Sequence, residues 1–91
     1  MHFDITFDPL KEAINRLQHG VSLDLASEIA WGSAVLRVDK RRDYGEVREF
    51  GFVPIRGRTF CVVFTWRNNT RRIISLRRAN TREVSRHAPN D

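Results

Sequence analysis

The sequence is poor in the residues that crosslink a chain or anchor it in a membrane. Cys61 is the only cysteine among 91 residues, which excludes an intrachain disulfide and a zinc site built mainly from cysteine. The longest strongly apolar run, residues 60–66, is far shorter than the roughly 20 residues that span a bilayer. Residues 1–4 show no basic segment leading into an apolar one, so no signal peptide is expected. These absences together predict a cytoplasmic protein.

Lysine is scarce as well, because 14 of the 16 basic residues are arginine. Residues 1–55 carry seven basic and nine acidic side chains, whereas residues 56–91 carry nine arginines and two acidic side chains. Arginine binds phosphate with two parallel hydrogen bonds and stacks on bases. A basic half of this kind favours nucleic acid or an acidic protein as the partner, with a plain solvated surface as the alternative.

The length predicts one domain over residues 1–91, in which residues 88–91 form a flexible tail. Hydrophobic periodicity and turn residues predict the element order β-α-α-β-β-β-β-α. We therefore expect an α+β fold, with a small, mostly antiparallel sheet, two N-terminal helices on one of its faces and a short C-terminal helix. The predicted strands cover residues 3–7, 34–38, 47–55, 60–67 and 70–77, and the last helix covers residues 81–87.

The first predicted helix has clear signals at both ends. Asp8 can cap its N-terminus, Pro9 suits the first helical position, and Gly20 suits the position after the last turn. Ser22 predicts the start of a second helix. Each helix has an apolar face that we expect to be buried, namely Leu10, Ala13, Ile14 and Leu17 in the first and Leu25, Ala26, Ile29 and Ala30 in the second.

The hairpin at residues 60–78 combines much of the apolar core with the densest positive charge. Asn68 and Asn69 form its predicted turn, because asparagine tolerates the positive φ of two-residue hairpin turns. This register predicts Thr65 opposite Arg72. By alternation, Arg72 and Arg77 would then point to opposite faces, unless a bulge or the strand end turns one of them.

The sequence has no phosphate-binding loop, and its three histidines lack metal-ligand spacing, so we predict no metal site and no cofactor. Arginine, lysine and carboxylates are nevertheless enough to cleave RNA, since the 2′-hydroxyl of the substrate is the nucleophile. Arginines stabilise the charge of the phosphorane, but their pKa is too high for proton transfer. His19, Lys11 and Glu46 are the candidates for the acid and the base.

Two blocks of the sequence resemble a known family. The first is F-D-P-x-K-x-x-x-N-x-x-x-H-G-x-S at residues 7–22, and the second is R-I-I-S-x-R-x-A at residues 72–79, followed by Arg82 and Glu83. In their order and spacing these blocks resemble the BrnT family, the ribonuclease toxins of type II toxin–antitoxin modules. Arg48, Thr65 and Arg67 also match this family.

The resemblance implies a RelE-like fold and a toxin that cleaves RNA and slows translation. It also implies inhibition by a cognate BrnA-like antitoxin. The toxin and antitoxin would form a heterotetramer that binds promoter DNA. We expect Arg67, Arg72 and Arg77 to be catalytic together with His19, Lys11 and Glu46. The residues expected to contact RNA are Arg48, Trp66, Arg71, Ser75, Arg78 and Arg82.

Structural roles remain as alternatives for several of these side chains. Arg72 can form an ion pair with Glu46, His19 can stabilise a helix end, and Ser75 can be a core serine. Lys11 can be a solvated helix residue, and Trp66 can belong to the core. The alternative function is a non-catalytic basic module that binds single-stranded nucleic acid or an acidic protein. An inactive relative of the toxins, retained for partner binding, is a third hypothesis.

Overall fold

The computed structural model of the protein describes residues 5–87. Within them lie five strands, two α-helices and two short 3₁₀ helices. The strands are Ile5–Thr6 (β1), Arg37–Val38 (β2), Arg48–Ile55 (β3), Arg58–Arg67 (β4) and Thr70–Arg78 (β5). The helices are Pro9–His19 (α1) and Thr81–His87 (α2), and the 3₁₀ helices are Leu23–Glu28 and Trp31–Ser33. The predicted α+β class and element order are confirmed, with 3₁₀ geometry in place of the second α-helix.

Some predicted element boundaries differ from those in the structure. The predicted first strand, residues 3–7, is a strand only at Ile5–Thr6, while residues 3 and 4 lie outside the described residues, as does the predicted tail at 88–91. The predicted strand 34–38 is a strand only at Arg37–Val38. No helix among residues 5–87 has the length and apolar character needed to cross a membrane.

The strands form one mixed sheet in the order β1-β5-β4-β3-β2, in which β1 is parallel to β5 and every other pair is antiparallel. Asn68 and Asn69 form the turn between β4 and β5, with φ of 52° and 61°. Two consecutive residues with positive φ are what a tight two-residue hairpin turn requires. The predicted turn is therefore confirmed.

A β-bulge in β5 changes which side chains share a face of the sheet. Near the turn the register is as predicted, with Thr65 opposite Arg72. The pairing then skips Ile74, so Cys61 lies opposite Arg77, one residue further along β5 than expected. Thr65 and Cys61 are four positions apart and share a face of β4. Arg72 and Arg77 therefore point to the same face, because the bulge shifts the alternation by one residue.

The two faces of the sheet differ in chemistry. One face, the core face, packs against the two 3₁₀ helices and is apolar in its middle. Its buried cluster consists of Leu23, Ala26, Ile29, Trp31, Val53, Ile55, Phe60, Val62, Phe64, Ile73 and Leu76. We call the opposite face the arginine face. It carries Arg48, Thr65, Arg67, Arg72 and Arg77, and α2 covers the part of it around Arg77.

The predicted caps of α1 are confirmed. The Oδ1 atom of Asp8 accepts a hydrogen bond from the backbone N–H of Leu10 at 2.8 Å, and Pro9 occupies the first turn. Gly20 has φ of 68°, and its N–H donates to the carbonyl of Arg16 at 2.8 Å. Helix ends are set by neighbours in sequence, which is why they could be predicted locally.

The predicted buried face of α1 is wrong, because its apolar side chains point into solvent. Leu17 is 87% exposed, Leu10 67% and Ile14 40%, and Ala13 is exposed too. The buried residue of this helix is Asn15. Its side-chain amide donates to the carbonyl of Leu76 at 2.8 Å and accepts from the N–H of Leu76 at 3.1 Å.

These contacts place α1 along the edge of β5 rather than on a face of the sheet, which corrects the prediction of two helices on one face. Beyond residue 72, β1 no longer pairs with β5, and Asn15 hydrogen-bonds to the strand edge as a further strand would. Glu12 holds the same side of α1, since its carboxylate accepts from Ser22 Oγ and the Leu23 N–H, both at 2.7 Å. Buried polar groups must find partners, so this network outweighs the apolar pattern.

The predicted buried face of the second helix is partly confirmed. Ala26 and Ile29 are buried, Leu25 is half-buried, and Ala30 is exposed. The predicted start is confirmed, since Ser22 Oγ accepts from the N–H of Asp24 at 3.1 Å. In a 3₁₀ helix the side chains repeat every three residues rather than every 3.6, so the burial pattern differs from that of an α-helix.

Candidate active site

A small cleft of about 140 Å³ lies at the turn end of the arginine face, beside the start of α1. Strands β3, β4 and β5 supply its floor, and α1 supplies one wall. We call it the arginine cleft, and most of its lining side chains are charged. The lining residues are Asp8, Lys11, Glu46, Arg48, Thr65, Arg67, Arg72, Ile73 and Ile74.

The positive charges in the cleft outnumber the negative ones, four to two. Glu46 lies between two of the arginines. Its Oε2 is 3.2 Å from Arg48 Nε, and its Oε1 is 3.3 Å from Arg67 Nη2. Asp8 Oδ2 is 3.9 Å from Arg72 Nη2, beyond hydrogen-bonding distance. The guanidinium of Arg72 is therefore the most loosely held of the three, and the cleft keeps a surplus of positive charge for an anion.

Two opposing effects set the pKa of Glu46. Partial burial raises it, whereas the hydrogen bonds and charges of Arg48 and Arg67 lower it. The arginines prevail, and the pKa of Glu46 lies below its ordinary value. This carboxylate is ionised at neutral pH and can accept a proton.

The loop between β2 and β3 holds Arg48 in place. Asp39 is buried and accepts hydrogen bonds from Arg41 at 2.9 and 2.8 Å and from the Tyr44 hydroxyl at 3.0 Å. Chiefly because of the Arg41 hydrogen bond, the pKa of Asp39 lies well below its usual range. The guanidinium carbon of Arg48 is 4.1 Å from the centre of the Tyr44 ring. The loop thus fixes one side of the cleft through a cation–π contact.

Two further side chains complete the cleft. Asp8 has a double role, since one of its oxygens caps α1 and the other faces Arg72. Thr65 is buried, and its hydroxyl donates to the carbonyl of Val47 at 2.7 Å. None of Asp8, Thr65 and Tyr44 is among the functional residues predicted from the sequence. Asp8 and Thr65 do match the family pattern, which is the signal that could have found them.

Five residues predicted to be functional come together in the cleft: Lys11, Glu46, Arg48, Arg67 and Arg72. They originate from α1, the loop before β3, and the three central strands. Their side chains place an amine and a carboxylate beside three guanidinium groups. Such a site can bind a phosphate, stabilise added negative charge on it and exchange protons with its oxygens.

Two residues predicted to be catalytic lie elsewhere. His19 is in the last turn of α1, eight positions and about 12 Å along the helix from Lys11. Arg77 is on the arginine face, but at the α2 end. Its two terminal nitrogens donate to the Glu83 carboxylate at 2.8 and 2.9 Å. This bidentate contact, together with a hydrogen bond from the Asn80 N–H, lowers the pKa of Glu83 to about 2.

The predicted RNA contacts Trp66 and Arg71 point to the core face. Arg71 lies between two indole rings, 4.4 Å from the centres of both Trp31 and Trp66. Burial lowers the pKa of Arg71. Trp66 is 48% exposed, and its Nε1–H donates to Glu49 at 2.9 Å. A bulky side chain from this cluster would have to reach around the sheet to enter the cleft.

The remaining predicted contacts are spread along the second half of the hairpin. Ser75 is half-buried on the arginine face, between the cleft and α2. Arg78 is exposed at the end of β5, and Arg82 is exposed on α2. None of the three lines the arginine cleft.

Residues 7–83 match the model of the family described as "Ribonuclease toxin, BrnT, of type II toxin-antitoxin system". The chain belongs to the BrnT family. The match includes every residue of the arginine cleft. No curated protein matches the chain.

Among solved structures, the crystal structure of the Brucella abortus ribonuclease toxin BrnT is similar to this BrnT-family chain. The two share 20% sequence identity, and the TM-score is 0.66. The similarity covers 87% of this chain and 99% of the Brucella chain. At this level of identity the comparison supports the fold.

Proposed function

We propose that this protein is a metal-independent endoribonuclease, the toxin of a type II toxin–antitoxin module. It would cleave RNA in the cytoplasm, inhibit translation and be neutralised by a cognate antitoxin. Membership in the BrnT family supports a ribonuclease toxin with an antitoxin partner. The observation that carries the catalytic part is the arginine cleft, in which Lys11 and Glu46 accompany three arginines.

In the proposed mechanism, the phosphate to be cleaved lies among Arg48, Arg67 and Arg72. Glu46 takes the proton of the 2′-hydroxyl as the 2′-oxygen bonds to phosphorus. Lys11 gives a proton to the leaving 5′-oxygen as the bond between phosphorus and that oxygen breaks. The products are a 2′,3′-cyclic phosphate and a free 5′-hydroxyl. The arginines stabilise the additional negative charge of the phosphorane.

The incoming phosphate would also change the state of Glu46. In the free protein, Arg48 and Arg67 hold this carboxylate at 3.2 and 3.3 Å. A phosphate that attracts both guanidinium groups weakens these hydrogen bonds, and the pKa of Glu46 then rises toward its ordinary value. A carboxylate with a higher pKa is a stronger base, so substrate binding would activate it.

Several expectations remain predictions. The catalytic roles of His19 and Arg77 stay predictions from the sequence and do not belong to the proposed mechanism, since both side chains lie away from the cleft. Arg71, Ser75, Arg78 and Arg82 stay predicted RNA contacts outside it. Family membership supports an antitoxin partner, and the heterotetramer that binds promoter DNA is part of the proposal. The RelE-like fold and the single domain over residues 1–91 are proposals of the same kind.

Cleavage of a labelled RNA by the purified protein in EDTA tests this function. We expect the wild type and Arg58→Ala to cut the RNA, because Arg58 is exposed at the far end of β4, away from the cleft. We expect Arg72→Ala to cut at least about 100-fold more slowly. RNA that stays intact with the folded wild type, both alone and with translating ribosomes, would contradict the enzyme and favour a binding module.

A further inference from the structure

A second and larger cavity, of about 300 Å³, opens next to the arginine cleft along β3. Its volume is at the lower end of the range for small-molecule sites. Two phenylalanines, two arginines and a histidine form most of its wall: Phe50, Phe52, Arg37, Arg86 and His87. Of the described residues that line it, none is acidic. The cavity thus combines aromatic surface with positive charge.

Phe50 connects this cavity to the arginine cleft. It lies two positions after Arg48 on the same face of β3, a separation of about 7 Å. Arg48 lines the cleft, while Phe50 lines the cavity. A phosphate bound at Arg48 would therefore have its own or the adjacent nucleotide within reach of the Phe50 ring.

The two phenylalanine rings differ in whether another ring already stacks on them. The His87 ring stacks on Phe52, with ring centres 4.2 Å apart and planes 6° from parallel. Phe50 meets Phe52 edge to face, at 6.4 Å and 88°. No aromatic ring of the described residues stacks flat on Phe50. Its half-buried ring is thus the aromatic surface of this cavity that can receive a flat ligand.

We propose that this cavity binds one nucleobase of a single-stranded RNA, stacked on Phe50, while the neighbouring phosphate lies in the arginine cleft. The inference rests on the proposed ribonuclease function. Unpaired bases stack on aromatic side chains with little demand on sequence, whereas bases within a duplex are not accessible to such a ring. Arg37 lies opposite Phe50 on β2 and supplies positive charge at the mouth.

We therefore assign base stacking to Phe50 rather than to Trp66. Trp66 has the larger ring, but it lies on the core face, where Arg71 contacts its ring and Glu49 accepts its N–H. Phe50 lies on the face that carries the arginine cleft. The two aromatic side chains therefore form a matched pair for an experiment.

Photocrosslinking of the wild-type protein is the direct test. The probe is a 2′-O-methyl hexamer of 5-bromouridine, which the proposed chemistry cannot cleave because the 2′-oxygen carries no proton. After irradiation, mass spectrometry identifies the modified residue. We expect the adduct at Phe50 or on another side chain of its cavity. A bound hexamer that crosslinks only at Trp66, or nowhere in the cavity, would overturn the proposal, as would a hexamer that does not bind.

Fluorescence anisotropy with the same labelled hexamer provides the second measurement. We expect Phe50→Leu, which keeps an apolar side chain but loses the ring, to weaken binding by about 5- to 150-fold. Phe50→Tyr should restore binding, and Trp66→Leu should change it by less than about twofold. The opposite ranking would overturn the proposal. Thermal melting of each variant shows that it is folded, and the crosslink in the wild type does not depend on the variants.

The two proposals fail in different ways. If the wild type leaves RNA intact both alone and with translating ribosomes but the hexamer crosslinks at Phe50, the ribonuclease is wrong and the base site stands. If the wild type and Phe50→Leu cut RNA equally well and bind the hexamer equally, the base site is wrong and the ribonuclease stands.

Discussion

Each end of β5 carries an arginine on the same face of the sheet, but a carboxylate binds only one of the two arginines closely. At the turn end, Arg72 faces Asp8 at 3.9 Å in a cleft with a surplus of positive charge. At the other end, Arg77 is held by the Glu83 carboxylate with two hydrogen bonds shorter than 3 Å. The first arginine has capacity left for a ligand, whereas the second fastens α2 to the sheet.

Positive charge alone therefore does not identify a binding site. Both arginines belong to the same sequence block and were expected to be catalytic. The two arginines differ in how their carboxylate partners are placed. A carboxylate that binds a guanidinium with both oxygens neutralises its charge, whereas a carboxylate beyond hydrogen-bonding distance leaves the guanidinium available to a ligand. Glu46 and Arg72 belong to the first environment and Glu83 and Arg77 to the second, so the two pairs serve as controls for each other.

The largest expected effect is on catalysis by Glu46. Glu46→Gln removes the proposed base and should slow RNA cleavage by about 10²- to 10⁴-fold. Glu83→Gln makes the same change at the other end and should leave the rate within about threefold at 25 °C. Single-turnover cleavage of a labelled RNA measures both. Equal losses of activity in the two variants would contradict a specific catalytic role for Glu46.

Replacing Arg72 should reduce activity, whereas replacing Arg77 should reduce stability. Arg72→Ala should slow cleavage by about 10²- to 10³-fold and leave the melting temperature unchanged, because the role proposed for Arg72 is to stabilise the transition state. Arg77→Ala should lower the free energy of unfolding by up to about 1 kcal/mol, the scale of a partly exposed ion pair. For a domain of this size, that corresponds to roughly 4–8 °C in melting temperature.

Cleavage and thermal melting of both variants are the measurements. A loss of about 100-fold in Arg77→Ala at an unchanged melting temperature would contradict the structural role and support the catalytic role predicted from the sequence. Arg72→Lys sharpens the test, because it keeps the charge but loses the planar, forked geometry, and it should recover only part of the activity.

The smallest effect concerns stability in acid. Glu83 has a pKa lowered from 4.5 to about 2 in the folded protein, chiefly by Arg77. A lowered pKa stabilises the fold above the unfolded-state value, and this contribution disappears as the pH falls from about 4.5 to about 2. The difference in unfolding free energy between the wild type and Glu83→Gln should therefore shrink over this range.

Urea unfolding at a series of pH values measures that difference. Arg77→Ala should show the same pH dependence, since it removes the other half of the pair. A difference that stays constant down to pH 2 would mean that the ion pair does not hold α2.

The sequence predicted the fold where local rules apply. Asp8, Gly20 and the Asn68–Asn69 turn act through neighbours in the chain, and all were found as expected. The orientation of α1 was not predictable in this way. Asn15 hydrogen-bonds to Leu76, 61 residues away, and this contact rather than the apolar pattern decides which side of the helix faces the protein.

The residues of the candidate site were likewise predictable only in part. Its charged residues stand out by type, so Lys11, Glu46 and the arginines of the cleft were all candidates beforehand. Asp8 was explained by its capping role, which concealed its second role opposite Arg72. Phe50 lies within the predicted strand 47–55, but nothing in the sequence says which partly buried phenylalanine lies beside a phosphate site.

The bulge at Ile74 has a consequence for the spacing of functional residues in this strand. An even interval is the normal condition for two side chains of a strand to share a face, yet Arg72 and Arg77 are separated by five positions. Because Ile74 is left out of the pairing, the odd interval between Arg72 and Arg77 behaves as an even one. Deleting Ile74 would remove the bulge and leave an even interval of four positions, so a regularly paired β5 would still place both arginines on one face.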